Sequence, residues 1–519
     1  MLAKVHSAQV TGVRADIIDV EVDITSGLHS FTIVGLPDKS VGEAKDRISA
    51  AIKNSGFRSP QKGNKKVIVS LAPADIKKEG TAFDLAIALG NLIASKEIKF
   101  DTKKKLFLGE LALNGDMRPI KGALVLTKKA REAGFAEIYL PAANAVEAAL
   151  IRDINVYGVM NLRQLVNYLM PAGDNLIGEE ENKPTIELCP PTEINYLLKD
   201  SYTDFADVKG QPVAKRGLEI AAAGRHNVAM YGPPGTGKTM LARAFAGILP
   251  NLSFDEVIET TGIHSAAGAL HDELITEAPF RSPHHTSSYV SLVGGGTWPK
   301  PGEITLAHRG VLFLDEFPEF DRQVIEALRQ PLEDKVISIA RARGSMTFPA
   351  SFILVAAMNP CPCGNRGLRE KECICNQGAL VRYGRKISGP IMDRIDIWLN
   401  VSQVDPKKLS DNTYHETSSK TIRARIEEAR ARQADRFAKN NLNIKTNSEM
   451  GPKELKIYAP LSEKCTDLLN DSAKRLDLSA RAYHRIIKLA RTIADLDNQE
   501  NIKEEHLLEA LQYRPKQVL

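Results

Sequence analysis

The chain has no stretch apolar enough to cross a bilayer, few cysteines and no strong charge imbalance, and each absence removes a class of protein. Hydrophobic residues make up 43% of the 519 and charged residues 26%, the composition of a globular chain rather than a membrane-spanning or disordered one. The opening "MLAKVHSAQVTGVRADIIDV" carries no apolar segment of the secretory kind, so a cytoplasmic location is expected. Six cysteines are too few for a disulfide scaffold, and in a reducing compartment clustered thiols point to metal binding or catalysis. A net charge of +5 allows a polyanionic partner without requiring one.

What is present divides along the chain. Residues 1–170 read as alternating strands and helices: "KKVIVSLAP" is a strand, "FDLAIALGNLIA" a helix, "GALVLTKKAREAG" a helix ending at Gly134, and "EIYLP" a strand. Residues 171–200, with Pro, Gly and an acidic run, are expected to be a linker. A second α/β region follows over 201–403. Beyond it strand signals vanish, and 404–519 is predicted to be a helical domain, with helical periodicity over 417–440 and 461–512.

The strongest signal is "NVAMYGPPGTGKTMLARAFAG". Gly232 to Thr239 fits G-x-x-x-x-G-K-[ST], directly after a strand and opening a helix, the context this phosphate loop requires. The cradle comprises Gly232, Pro233, Pro234, Gly235, Thr236 and Gly237, with Lys238, Thr239 and Met240 at the helix start. Its glycines let backbone N–H groups curl around phosphates, aided by the positive end of the helix. Lys238 suits the β and γ phosphates of ATP, and Thr239 suits Mg²⁺. "GVLFLDEFPEF" supplies the matching carboxylates at the end of a buried strand, Asp315 for the metal and Glu316 for activating the attacking water. An acidic pair after a strand is otherwise just a solvated turn.

"GPPGTGKT", "LFLDEF" and "DFADVKGQ" resemble an AAA+ ATPase. "FRSPHHTSS", "GEITLAHRGVLFLDE" and "SGPIMDRIDI" are similar to the magnesium-chelatase ATPase subunit and its bacterial relatives, above all the competence-linked ComM family. The resemblance covers essentially the whole chain. It implies an α/β fold: an N-terminal Lon-protease-like domain, an AAA+ P-loop core and a C-terminal helical lid. It also implies that Asn359 is the sensor of the γ-phosphate or lytic water, Arg394 the finger reaching a neighbouring subunit's ATP, and Arg481 the second sensor arginine. Such arginines neutralise transition-state charge in trans only when subunits form a ring, here a homo-oligomer expected to be hexameric. Without the family pattern they would read as helix-end or surface residues.

The first domain resembles the proteolytic domain of Lon in "KKEGTAFDLAIALG" and "GELALNGDMRPIKGALVLTKKAREAGFAEIYLP". That chemistry needs a serine activated by a lysine. The serine position holds Ala82, and the lysine position falls at Leu124, with Lys121 and Lys128 a helical turn to either side. The domain is therefore expected to be a noncatalytic ring or docking module.

Four of the six cysteines lie in "MNPCPCGNRGLREKECICN", two residues beyond Asn359. Two C-x-C pairs, Cys361 with Cys363 and Cys373 with Cys375, can set four sulfurs around one Zn²⁺. The alternatives are four ordinary thiols or a redox switch. The polar, glycine-bearing setting favours zinc, and the clip is expected to be separable from ATP hydrolysis. Cys189 and Cys465 read as packing residues. "DKVISIARARGSMTFPAS" predicts a hairpin with Arg341 and Arg343 near its tip. With Arg366, Arg369 and Lys371 of the cysteine loop, these are candidate contacts to DNA phosphates, and Trp298 of the insert is a candidate stacking group. The neighbouring His284 and His285 are left out of the metal site.

Three functions follow. The first is a ring-forming, ATP-driven DNA motor, a helicase or branch-migration enzyme acting on single-stranded or branched DNA in natural transformation, with a recombinase or loading partner. The second is a chelatase-type motor. The third is an ATP-dependent protease, which Ala82 opposes. Against the chelatase stand the Lon-like N-terminal domain, which resembles nothing in that subunit, and the cysteine loop. The basic helix "KTIRARIEEARARQADRFAK", with seven basic residues against three acidic, is secondary support for nucleic acid.

Overall fold

The computed structural model describes residues 2–60, 64–170, 186–194, 196, 203–270, 274–296, 300–341, 344–366, 368, 371–404, 416–440, 442 and 444–514. The chain divides into two units: Met1–Asn195 with Val257–Leu274, and Tyr196–Glu256 with Ile275–Leu519.

In the first unit a seven-stranded sheet is built around a long hairpin. Leu2–Thr11 pairs antiparallel with Arg14–Ser26, closing at Thr11 and Arg14. This opening pair departs from the expected strand–helix alternation. "RADIIDVEVDITS" alternates buried apolar with more exposed polar residues, the period-two pattern of a half-buried strand. Lys65–Ala72 joins the hairpin antiparallel, while Ser30–Val34, Lys105–Phe107, Glu137–Pro141 and Asn155–Val159 pair in parallel on the two sides. The helix Asp84–Ala94 is nearly all buried, and a methyl group at Gly90 would sit 2.6 Å from Val22 Cγ2, so glycine permits the close approach to the sheet. Arg47 donates to both carboxylate oxygens of Asp84 (2.7 and 3.0 Å), although burial pushes that carboxyl up to about 6.

The second unit holds five parallel strands in the order Phe280–Arg281, Val311–Leu314, Ile353–Met358, Val228–Tyr231 and Ile397–Asn400. Val311–Leu314 is wholly buried, as a central parallel strand between helical layers must be. Each such side chain contributes roughly 1.5–3 kcal/mol on leaving water. The core continues into the helices Ser419–Ala438, Glu463–Arg475, Ala480–Leu496 and Glu504–Gln512, through Ile426, Leu469, Ile486 and Leu507. A polar tie crosses the same junction. Buried His226 meets Thr492 at 2.9 Å, and Asp396 accepts from Asn227 N at 3.0 Å and from Arg485 at 2.9 Å. Among the described residues no helix is long and apolar enough to cross a membrane.

Candidate nucleotide site and thiol cluster

The phosphate loop leaves Val228–Tyr231 and ends in the helix Lys238–Gly247. Backbone geometry explains its glycines. A methyl group at Gly232 would lie 2.0 Å from Val401 O, whereas Gly235 and Gly237 adopt φ of +77° and +88° and face open space. The result is a cavity of about 680 Å³ with Gly235, Lys238, Thr239, Asp315, Glu316 and Asn359 in its wall.

Within it, Lys238 Nζ donates to Gly232 O (2.7 Å), Pro233 O (2.8 Å) and Asn359 Oδ1 (3.3 Å), and burial lowers its pKa. A cation folded onto loop carbonyls is positioned to turn toward phosphate oxygens. Thr239 Oγ1 donates to Asp315 Oδ2 at 2.8 Å, bringing together the hydroxyl and carboxylate that a Mg²⁺ site needs. The wide, glycine-lined cradle beside this pair fits a nucleotide with its Mg²⁺. Glu316 sits at φ +51°, in the left-handed region that few residues other than glycine adopt, and its carboxylate meets His285 Nδ1 at 2.9 Å. His284 and His285 both line the cavity. His285 was visible in the sequence only as half of a histidine pair, and nothing there linked it to Glu316.

Arg394 and Arg481 are not among the residues that line this cavity. Both converge instead on Glu333: Arg394 Nη2 is paired with it, Arg481 Nη2 lies 3.6 Å from its other oxygen, and Arg394 Nη1 donates to Pro390 O at 2.8 Å. These arginines hold the Glu333 carboxyl below its ordinary value. Nothing near Glu333 in the sequence signals this role.

The four thiols converge. The Sγ atoms of Cys361, Cys363, Cys373 and Cys375 all lie within 4.8 Å of one another, with separations of 3.4 Å (Cys361–Cys363), 3.7 Å (Cys363–Cys373) and 3.7 Å (Cys373–Cys361). A tetrahedron of sulfurs about 2.3 Å from a central Zn²⁺ has edges of about 3.8 Å. Cys361 is buried and accepts from Arg366 N at 3.4 Å. The cluster can therefore hold a metal ion.

The candidate DNA contacts are only partly described. Arg366 and Lys371 are exposed on the thiol loop. The predicted hairpin forms as Val336–Arg341 against Gly344–Pro349, with Arg341 paired to Gly344. The Arg341 side chain, Arg343, Arg369 and Trp298 lie outside the described residues, as does most of the segment read as a linker. The basic helix needs a different reading. Arg430 donates to Ala222 O (3.1 and 2.7 Å), Arg423 to Gly247 O at 2.5 Å and Arg432 to Asp495 O at 2.7 Å, while Arg425 and Arg436 pair with Glu219 and Asp495. Ala222 and Gly247 lie in the last turns of two helices, whose carbonyls lack partners within the helix. Burial pushes the Arg430 guanidinium down to about 9. These cations tie the helix to the ATPase-core helices Pro212–Gly224 and Lys238–Gly247 and to Ala480–Leu496, so the helix is no argument for nucleic acid.

In the first unit, Ala82 is half-buried beside Thr81, whose hydroxyl bonds Glu110. Leu124 is buried at the start of the helix Ala123–Glu132, and its N–H donates to Glu147 at 3.0 Å. Ser265 Oγ accepts from Gly122 N at 2.9 Å, so the Val257–Leu274 segment covers the helix start where a catalytic lysine would be expected.

The strand order, the phosphate loop leaving the strand beside Ile353–Met358, and the acidic pair one strand further on make the second unit an AAA+ P-loop ATPase core. Comparison with known proteins narrows this. Residues 204–409 match the family described as "Magnesium chelatase, subunit ChlI", residues 416–514 its C-terminal region, and residues 20–144 "Subunit ChlI of Mg-chelatase". The chain is 41% identical over 518 residues to competence protein ComM of Haemophilus influenzae, covering 99% of this chain and 97% of that one. It is equally 41% identical over 518 residues to uncharacterized protein YifB of Escherichia coli, with the same coverage. DNA replication licensing factor Mcm6 of Drosophila pseudoobscura is 24% identical over 316 residues, 59% of this chain and 35% of that protein. The chain belongs to the ComM-like, magnesium-chelatase-like AAA+ family and is an ATPase of the ComM type. The match over residues 20–144 corrects one inference from the sequence: the N-terminal region does not separate this chain from chelatase-described proteins.

Proposed function

We propose that the protein is a ring-forming, ATP-driven DNA motor that unwinds or migrates branched DNA during the uptake and recombination of incoming DNA. The observation that carries this reading is the incomplete charge balance of the nucleotide site. Its wall holds Lys238, but Arg394 and Arg481 gather at Glu333, outside it. An ATPase that keeps its arginines away from its own nucleotide is suited to supplying them to a neighbour's, which requires a closed ring. The likeness to a competence protein and to a replication licensing factor supports DNA as the track.

In this reading the loop N–H groups and Lys238 bind and orient the phosphates, and Thr239 and Asp315 would hold a Mg²⁺ ion, which would supply charge neutralisation to the bound phosphates. Glu316 takes the proton of the attacking water, His285 holds its carboxylate in place, and Asn359 aligns that water with the γ-phosphate. The neighbour's Arg394 stabilises the charge that develops on the transferred phosphoryl group. Cys361, Cys363, Cys373 and Cys375 would hold a Zn²⁺ ion in a structural, noncatalytic role. The domain boundaries near 170, 200 and 403 and the noncatalytic ring or docking role of residues 1–170 belong to the same proposal.

A chelatase-type motor is the second reading, favoured by the magnesium-chelatase descriptions of the matched families. The test is ATP hydrolysis by the purified protein with single-stranded, duplex and branched DNA, and separately with protoporphyrin and Mg²⁺. Stimulation by branched or single-stranded DNA supports the motor. Stimulation by protoporphyrin with Mg²⁺ insertion, and none by DNA, replaces it with the chelatase.

A further inference from the structure

The thiol loop touches the machinery that binds nucleotide. Gly364, one residue past the ligand Cys363, adopts φ +77°, and a methyl group there would sit 2.9 Å from Pro234 Cδ of the phosphate loop. From the other side, Gly232 N, the first residue of that loop, donates to Met358 O at 3.2 Å, three residues before Cys361. Asn359 lies between them and receives Lys238 Nζ at 3.3 Å. The segment leaving the cluster returns to the same point: the helix Gln377–Gly384 begins two residues after Cys375, and its buried Tyr383 donates its hydroxyl to Asn359 O at 3.1 Å. Thus the end of the sensor strand, the phosphate loop and both arms of the thiol loop form one closed circuit.

We infer that metal occupancy of the Cys361–Cys363–Cys373–Cys375 cluster sets the affinity of the phosphate loop for nucleotide, so that the cluster is a metal-dependent regulator of the ATPase. The inference rests on the zinc reading above and extends it. The sequence suggested a clip separable from ATP hydrolysis, and the Gly364–Pro234 contact argues otherwise. With a metal bound, the four sulfurs fix the arc from Cys361 to Cys375, and Gly364 is held against Pro234. Without it, four thiols crowd where a dication belonged, the arc loosens, and Pro234 loses the wall that keeps the loop curled. The chemistry that recognises the ligand is that of a thiolate-preferring divalent cation, with zinc first. Metal binding orders the loop, and part of that ordering is passed to the nucleotide site as coupling between sites.

Two variants separate metal from contact. Cys373→Ser/Cys375→Ser removes ligands. Gly364→Ala keeps all four thiols but places a methyl group against Pro234 at an unfavourable φ. Zinc is measured by elemental analysis, and affinity for a fluorescent ATP analogue is measured at fixed excess Mg²⁺. The wild type is compared before and after stripping with a zinc-selective chelator and desalting. Wild type should carry one zinc per chain, and stripping or the double substitution should weaken nucleotide binding about fivefold, the size expected for contacting groups coupled by roughly 1 kcal/mol. Restoring zinc should restore the stripped wild type but not the double variant. Gly364→Ala should retain zinc and still bind nucleotide more weakly. Stoichiometric zinc with unchanged affinity after stripping and in Gly364→Ala would overturn the coupling while leaving the zinc site intact. Less than about a tenth of an equivalent of zinc in wild type purified without chelator would instead remove the zinc reading, and the inference with it.

Discussion

Replacing Asp396 by Asn tests how the helical region is tied to the ATPase sheet. Its carboxylate meets three groups from two parts of the second unit: the Asn227 N–H at 3.0 Å and the adjacent His226 at 3.6 Å, just before the P-loop strand, and Arg485 on the helix Ala480–Leu496 at 2.9 Å. Asp396 is 11% exposed and His226 1%. Burial opposes ionisation, but Arg485, His226 and the Asn227 N–H outweigh it and hold the carboxyl below the usual carboxylate range. Removing one partner of a buried ion pair costs about 3–5 kcal/mol. An amide keeps an oxygen for Asn227 N, and Arg485 is 20% exposed, so water shares its charge; the expected loss falls to about 2–3 kcal/mol. For a unit of this size that lowers the melting midpoint by about 3–5 °C. The sign with pH follows from the depressed folded pKa. The carboxylate's contribution is complete above its unfolded value of about 4 and is lost as pH falls toward the folded value. The gap between wild type and Asp396→Asn should therefore be constant from about pH 7 to pH 5 and narrow below about pH 4. Asn227 Nδ2 also donates to Arg394 O at 3.1 Å, so the variant should lose hydrolysis more than nucleotide binding. Scanning calorimetry between pH 3 and 7 reads the first effect. A midpoint within about 1 °C of wild type at neutral pH would refute the argument that this ion pair ties the two layers.

The remaining expectations concern the active site and the first unit. Glu316→Gln should bind ATP normally and turn over at least about a hundredfold more slowly, whereas Lys238→Ala should lose nucleotide binding; wild-type turnover by Glu316→Gln would remove the water-activating role. Arg394→Ala should retain ATP binding but lose about a thousandfold or more in kcat, with little change in folding because its partner Glu333 is half exposed. If its hydrolysis is unimpaired, Arg394 is not the finger. Ala82→Ser should confer no proteolysis of casein with any nucleotide, since Leu124 stands at the lysine position with its N–H bound to Glu147; hydrolysis dependent on the new serine would contradict this.

The phosphate loop and the acidic pair were legible because their chemistry needs particular residue types at short spacing, and glycine at a left-handed position leaves a direct mark. The thiol quartet was legible for the same reason. Partners distant in sequence left no such mark. Glu333 meets Arg394 and Arg481 across 61 and 148 positions, and Gly364 meets Pro234 across 130, so only folding reveals them. The basic helix misled for a physical reason: arginine serves a helix C-terminus or a buried carboxylate as readily as a phosphate, and charge counting does not distinguish them. The grouping of Val257–Leu274 with the first unit was also hidden, because a helix of mixed polarity does not declare which surface it covers.

The central claim is tested most directly on a fluorescently labelled branched DNA whose strands exchange or separate only when work is done on them. The wild-type protein with ATP and Mg²⁺ should convert it to products. Glu316→Gln should bind the same DNA with ATP and leave it unconverted, and Arg394→Ala should fail through loss of hydrolysis. Conversion equal in the absence of ATP, or robust ATP hydrolysis with no conversion and no stimulation by any DNA, would contradict it.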